Sequence, residues 1–139
     1  MTAPRYLLDT NVLSAVARGL DLALIAHFRE TQIEDIAIST LSVMEIEFGL
    51  LNNLQLNKQR GAMMRGFVRE LTPIAFVSPA ALAAAKHLLR LKRSGAMIGP
   101  YDLLIAATAL AHDLTMVTAN TGEFARISEL QVEDWSSAA

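Results

Sequence analysis

Apolar residues along the chain fall into two alternating patterns. Short runs at residues 5–9, Ile36-Ala37-Ile38-Ser39, Ile74-Ala75-Phe76-Val77 and Leu114 to Thr118 have the length and composition of buried strands. Between them, apolar positions recur at helical spacing and predict helices over 11–18, 21–30, 41–51, 57–71, 79–93 and 100–112. The punctuation agrees. Gly19 closes the first helix, Asn52-Asn53 separates the third from the fourth, Pro73 ends the fourth, and Ser94-Gly95 ends the fifth. Ser39 or Thr40 can cap the third helix. Ser78-Pro79 supplies a cap and a first-turn proline, and Pro100 opens the last long helix. Residues 120–126 read as a loop or short helix, Gln131 to Trp135 as a short edge strand, and Ser136 to Ala139 as a frayed tail. Strands alternating with helices predict one α/β domain over residues 1–139. It should have three layers, α/β/α, around a central, mainly parallel sheet of four to five short strands.

Composition narrows the function classes. The chain has 139 residues, is 53% hydrophobic and has no cysteine, so disulfides and thiolate metal sites are excluded. No apolar run approaches the roughly 18 residues of a membrane span, and the N-terminus lacks a basic region leading into an apolar segment. A soluble cytoplasmic protein without membrane association is the expectation. The net charge is -2, which argues against indiscriminate binding of polyanions. The charge is nevertheless segregated: Lys58, Arg60, Arg65, Arg69, Lys86, Arg90, Lys92 and Arg93 share a segment whose one acid is Glu70. Either a basic face or a set of ordinary solvated helix surfaces would produce that pattern.

Several acids sit where chemistry could use them. Asp9 ends the first strand, where open α/β sheets place their ligands. In the third helix, Leu41, Met44, Phe48 and Leu51 mark an apolar stripe, which Glu45 borders while Glu47 faces away. A carboxylate beside a buried stripe must be paired, protonated or bound to a cation, so Glu45 is either a site residue or half of a salt bridge. Asp102, the third residue of a nearly all-apolar helix, shares a face with Ile105, Ala106 and Ala109. Complementing the helix dipole would also explain it, but the preceding Gly95 and Gly99 suit close approach of a ligand. Asn120 and Glu123 follow the fourth strand and can offer oxygen, or form no more than a capped turn. Clustered acids without cysteine or histidine suit Mg2+, or Mn2+, better than zinc. Such an ion can activate water and neutralise a phosphodiester. His27, His87 and His112 lack mutual ligand spacing and read as surface or core residues. There is no glycine-rich phosphate loop and no nucleophile elbow. A phosphoaspartate phosphatase would need a second aspartate two residues after Asp9, where Asn11 stands.

Four stretches in order, Leu8-Asp9-Thr10-Asn11-Val12-Leu13, Ser39 to Gly49, Gly99 to Ala109 and Val117 to Phe124, span nearly the whole chain. Together they resemble the PIN-domain ribonucleases, especially the VapC-type toxins of type II toxin–antitoxin pairs. The resemblance implies a PIN-like fold and a Mg2+-dependent endoribonuclease toxin. Asp9, Glu45 and Asp102 would be the metal-binding and catalytic acids. Thr10, Asn11 and Thr118 map to polar positions around them. Where many relatives carry a fourth aspartate this chain has Asn120, with Glu123 as the compensating acid. The implied chemistry is hydrolysis of RNA by in-line attack of an activated water, leaving 5′-phosphate and 3′-hydroxyl ends. Arg90, Lys92 and Arg93 would guide the RNA backbone. The implied partners are RNA, a VapB-type antitoxin whose tail enters the acidic groove, and a second copy in a homodimer, with higher-order complexes beyond it. The helices between Leu41 and Leu71 are the candidates for antitoxin contact. The contrasting possibility is a catalytically weak PIN fold that binds protein, its acids holding a structural cation or a partner's arginine.

Overall fold

The computed structural model describes residues 3–136. Of the tail expected from 136 to 139, all but Ser136 lies outside the described residues. Strand β1 (Tyr6–Leu8) leads through α1 (Thr10–Arg18), α2 (Leu22–Glu30) and a 3-10 turn at Ile33–Asp35 into β2 (Ile36–Ser39). Helices α3 (Thr40–Leu51) and α4 (Leu54–Arg69) follow, then β3 (Thr72–Ile74). A hairpin of α5 (Ser78–Ser94) and α6 (Pro100–Ala111) returns to β4 (Thr115–Val117), and α7 (Thr121–Phe124) leads to β5 (Val132–Glu133). All strand pairings are parallel, in the order β3-β2-β1-β4-β5.

Strand alternation divides the core between the two helical layers. Leu7, Ala37 and Met116 point to one side and pack with Leu91, Leu103, Ile105, Ala106 and Phe124 of α5, α6 and α7. Their neighbours Leu8, Ile36, Ile38 and Val117 point to the other and pack with Leu13, Leu24, Ile46, Leu50 and Met64 of α1 to α4. A sheet buried on both faces explains why its strands read as continuous apolar runs.

Local chemistry sets the boundaries, and two of them differ from the sequence reading. Helix α4 starts earlier than expected because the Asn53 side chain accepts from Leu56 N at 3.1 Å and caps it. Pro73 does not end that helix but lies inside β3, displaced from the expected 74–77. A proline is tolerated there because β3 is an edge strand, where a missing N–H breaks no central ladder. Gly19, at φ 68°, closes α1 in the left-handed conformation.

The C-terminal edge is anchored by Trp135, which is 3% exposed. Its ring meets Tyr6 edge-on at 5.0 Å and stacks on His27 at 4.1 Å, tying the chain end to β1 and α2. Among the described residues no single helix is long and apolar enough to cross a membrane. Replacing Trp135 with alanine is expected to lower unfolding stability by about 3–5 kcal/mol. The midpoint of urea denaturation measures it, and a loss under about 1 kcal/mol would show that β5 is held by its ladder alone.

Candidate active site

The strand order places β1 beside β4, while the chain goes from β1 to β2 on the far side. That is a topological switch point, where the loops after adjacent strands part and leave a crevice. Asp9 follows β1 there, its N–H bonded to Val117 O at 3.0 Å, and Thr118-Ala119-Asn120 follow β4.

Asp9 is 6% exposed. Its Oδ1 accepts from Val12 N at 2.7 Å, capping α1, and its Oδ2 accepts the Thr118 hydroxyl at 2.5 Å. Burial pushes its carboxyl above the ordinary range, against the lowering effect of those donors, and the Glu45 charge adds to the rise. Thr118 is fixed in turn, since its oxygen accepts from Asn120 N at 3.0 Å.

Glu45 arrives from α3. Its Oε1 accepts the Thr10 hydroxyl at 2.7 Å, and Thr10 and Ser42 share a hydroxyl–hydroxyl bond of 2.8 Å. The helical face differs from the one read in sequence. Ser42, Ile46 and Leu50 are buried, whereas Met44 is 43% and Phe48 65% exposed, and Leu51 is exposed with them. Glu45 therefore reaches the crevice from between two faces, not from a buried stripe. Glu47 does not stand free in solvent. It forms a forked pair with Arg65 of α4, whose Nε and Nη2 donate at 2.9 and 2.8 Å.

Asp102 lies in the first turn of α6 and is half-buried. Its carboxyl is raised to about 7, first by burial, then by its bond to Glu123, then by the charges of Glu123, Asp9 and Glu45. Glu123 moves the other way. Its Oε1 accepts from Gly99 N at 2.9 Å and its Oε2 from Asn120 Nδ2 at 2.5 Å, and the Gly99 N–H is the largest cause of its lowered pKa. The Asp102–Glu123 pair thus keeps its proton on Asp102. Gly99 has an ordinary backbone conformation, so space is what it supplies. A Cβ there would stand 3.2 Å from Asp102 Oδ2 and 3.7 Å from Glu123 Oε1. The close approach foreseen for this loop is to carboxylates of the chain itself.

Four acids from four elements therefore border one crevice, where Asp102 feels the charges of the other three, with donors from Thr10, Thr118, Asn120 and Gly99 between them. Among the described residues no three acidic or histidine side chains close into a finished ligand cage, and Asp9, Glu45 and Glu123 are turned to protein donors. The donor set is oxygen throughout, of the kind hard divalent cations take. Asn11 is exposed beside Asp9, which its backbone N–H also stabilises. Ser42 and Arg126 were missed in the sequence. Ser42 lies three residues before Glu45, a helical spacing that could have found it, and Arg126, which donates to Met97 O at 2.9 Å, left no such signal. Arg90 is drawn to the 128–129 turn, bonded to Ser128 at 3.0 Å and 3.7 Å from Glu129, and Lys92 and Arg93 are exposed on the last turn of α5. With Arg65 paired to Glu47, the basic segment is divided between two helices.

Comparison with known proteins finds counterparts for this chain and its fold. The family model described as PIN domain matches residues 6–130. The tRNA(fMet)-specific endonuclease VapC of Shigella flexneri is 30% identical over 132 residues, covering 95% of this chain and 98% of its own. Ribonuclease VapC2 of Rickettsia felis is 30% identical over 135 residues, covering 94% and 97%. Among solved structures, the DNA-bound VapBC of Salmonella typhimurium superposes with a TM-score of 0.87 at 29% identity, over 95% of this chain and 98% of that one.

The raised Asp102 carboxyl links folding to pH. The folded chain holds the proton at Asp102 from the ordinary carboxylate value of 3.8 up to about 7, a range in which the unfolded chain has lost it. Stability from this group is complete at acid pH and falls as pH rises through that window. Glu123, shifted downward, acts below it. In chelator-treated buffer, Asp102→Asn is expected to flatten the decline and exceed wild type in urea midpoint at pH 8. Parallel pH profiles for the two proteins would refute the assignment.

Proposed function

The chain belongs to the PIN-domain family, and from that premise we propose that it is a Mg2+-dependent endoribonuclease of VapC type, neutralised by a VapB-type antitoxin. The observation that carries the reading is the convergence of Asp9, Glu45, Asp102 and Glu123 at the β1/β4 switch point, with Asp102 raised to about 7. Carboxylates gathered at this burial repel one another unless a proton or a cation enters among them. An oxygen-only set fits Mg2+, with Mn2+ the alternative, and Asp9, Glu45 and Asp102 are the residues that would hold it. Bound there, the ion would supply charge neutralisation at a phosphodiester and an activated water.

The chain's own residues do the positioning. Val12 N–H and the Thr118 hydroxyl hold Asp9 in one rotamer, Thr10 orients Glu45, and Glu123 holds Asp102 through their shared proton. That proton and a cation compete for the same carboxylates, so cation affinity rises with pH through the neutral range. Lys92 and Arg93 on α5 offer positive charge to an RNA backbone.

Support for the protein partner comes from relatives solved as VapBC complexes and from surface this chain leaves uncovered. Phe28, Met63 and Phe67 line a groove between α2 and α4. The α3 stripe of Met44, Phe48 and Leu51 is exposed beside it in sequence and suits contact with the antitoxin or with a second copy in a homodimer.

Asp9→Asn and Asp102→Asn are each expected to lower RNA cleavage at least about 100-fold and to abolish growth inhibition. Mg2+ or Mn2+ should raise the melting temperature of wild type and not of either variant. Toxicity that persists in both variants would overturn the nuclease reading in favour of a protein-binding module. Arg93→Glu is expected to weaken cleavage several-fold at low salt and to reduce its salt dependence. An unchanged salt slope would remove α5 from the RNA path.

A further inference from the structure

A groove of about 420 Å³ opens beside Asp9, and Glu45 is not among its lining residues. Its floor is apolar, formed by Ala15 of α1 and Leu24 of α2, and its rims are Asn11 on one side and Ala119-Asn120 on the other. It is thus the outer part of the β1/β4 crevice, continuous with the acids through Asp9 itself.

The polar groups of this groove are amides, carboxylates and the Ser136 hydroxyl, which donates to Asp134 Oδ1. Asn11 is exposed and its side chain has no protein partner among the described residues. Asn120 spends one Nδ2–H on Glu123 Oε2, which leaves its carbonyl and second N–H for another molecule. Asp21, also at the rim, is a carboxylate capping Leu24 N at 3.0 Å. Acids on both sides disfavour a phosphate here, whereas paired amide donors and acceptors over an apolar floor suit a flat neutral ring with polar edges. An asparagine amide matches the adjacent donor and acceptor on a nucleobase edge, and unstacked bases of single-stranded RNA are read on such edges. The volume is within the range of a small-molecule site.

We propose that this groove is the base-recognition subsite of the nuclease, with Asn11 and Asn120 reading the nucleotide beside the scissile phosphate and setting sequence preference. The inference rests on the nuclease reading above. It assigns to the two asparagines a role in specificity, distinct from the acids' role in the reaction.

The test is cleavage by the full chain of short single-stranded oligoribonucleotides that vary one base at a time on either side of the cut. Wild type is expected to prefer one base at one position by at least about tenfold in kcat/KM, and Asn11→Ala and Asn120→Ala to reduce that ratio roughly tenfold. Ala15→Leu, which fills the floor, is expected to do so through KM with little change in melting temperature. Anisotropy binding of the same oligomers to Asp102→Asn, alone and combined with Asn11→Ala, reads the preference without catalysis. A wild type that cleaves without base preference would overturn the subsite and leave the nuclease standing. So would a preference that survives all three substitutions, or a loss equal for every sequence. A wild type that neither binds nor cleaves RNA removes the nuclease reading and the subsite with it.

Discussion

Like charges held close at the end of a sheet are the constraint on which the rest of this molecule turns. Asp9 follows β1, and Glu45, Asp102 and Glu123 come from α3, α6 and α7, so no single element could place them, and each approach raises the cost of the next. The fold meets that cost with specific donors. Thr118 and Val12 N–H stabilise the Asp9 carboxylate, Gly99 N–H and the Asn120 amide stabilise Glu123, and one proton is retained on Asp102. The result is a pocket whose charge is arranged but only partly neutralised.

The sheet is what makes this placement rigid. Leu7, Leu8, Ile36, Met116 and Val117 are buried on alternating sides, so β1 and β4 cannot shift without exposing one helical layer or the other. Asp9 and Thr118 follow those strands directly, so their 2.5 Å contact inherits the precision of the core. Glu45 and Glu123 sit on α3 and α7 and depend on hydrogen bonds to their carboxylates for their aim, Glu45 on Thr10 and Glu123 on Gly99.

How much of this was legible in the sequence depends on the kind of signal each residue carried. The strands and the positions of Asp9 and Asp102 were readable because a parallel sheet writes short apolar runs, and because proline and glycine mark helix starts and ends. The α3 face was read inverted. Its apolar residues lie on both sides of the helix, and a sequence cannot say which stripe meets the sheet and which is left exposed; Ile46 and Leu50 are buried while Phe48 is not. Glu45 reached the site all the same, since a helix whose sides are both apolar leaves a carboxylate few other directions. Pro73 misled for a related reason. Its usual meaning is a helix end, and only the sheet order, with β3 at the edge, makes it acceptable within a strand. The pairing of Glu47 with Arg65 spans two helices and left no local trace.

The amide at position 120 follows from the same electrostatics. An aspartate there would place a further negative charge against Glu123, whose Oε2 now receives the Asn120 Nδ2–H at 2.5 Å. Glu123 would then lose a donor and gain a repulsion, and its pKa would rise toward that of Asp102. The division of labour that keeps the proton on Asp102 would blur. Asparagine instead donates to Glu123, adding to the larger effect of the Gly99 N–H, while the backbone N–H at this position fixes Thr118 and through it Asp9. The side chain at position 120 thus supports Glu123, while the bond to Thr118 comes from the backbone and does not depend on the amide. The uncharged amide lets Glu123 stay ionised beside it.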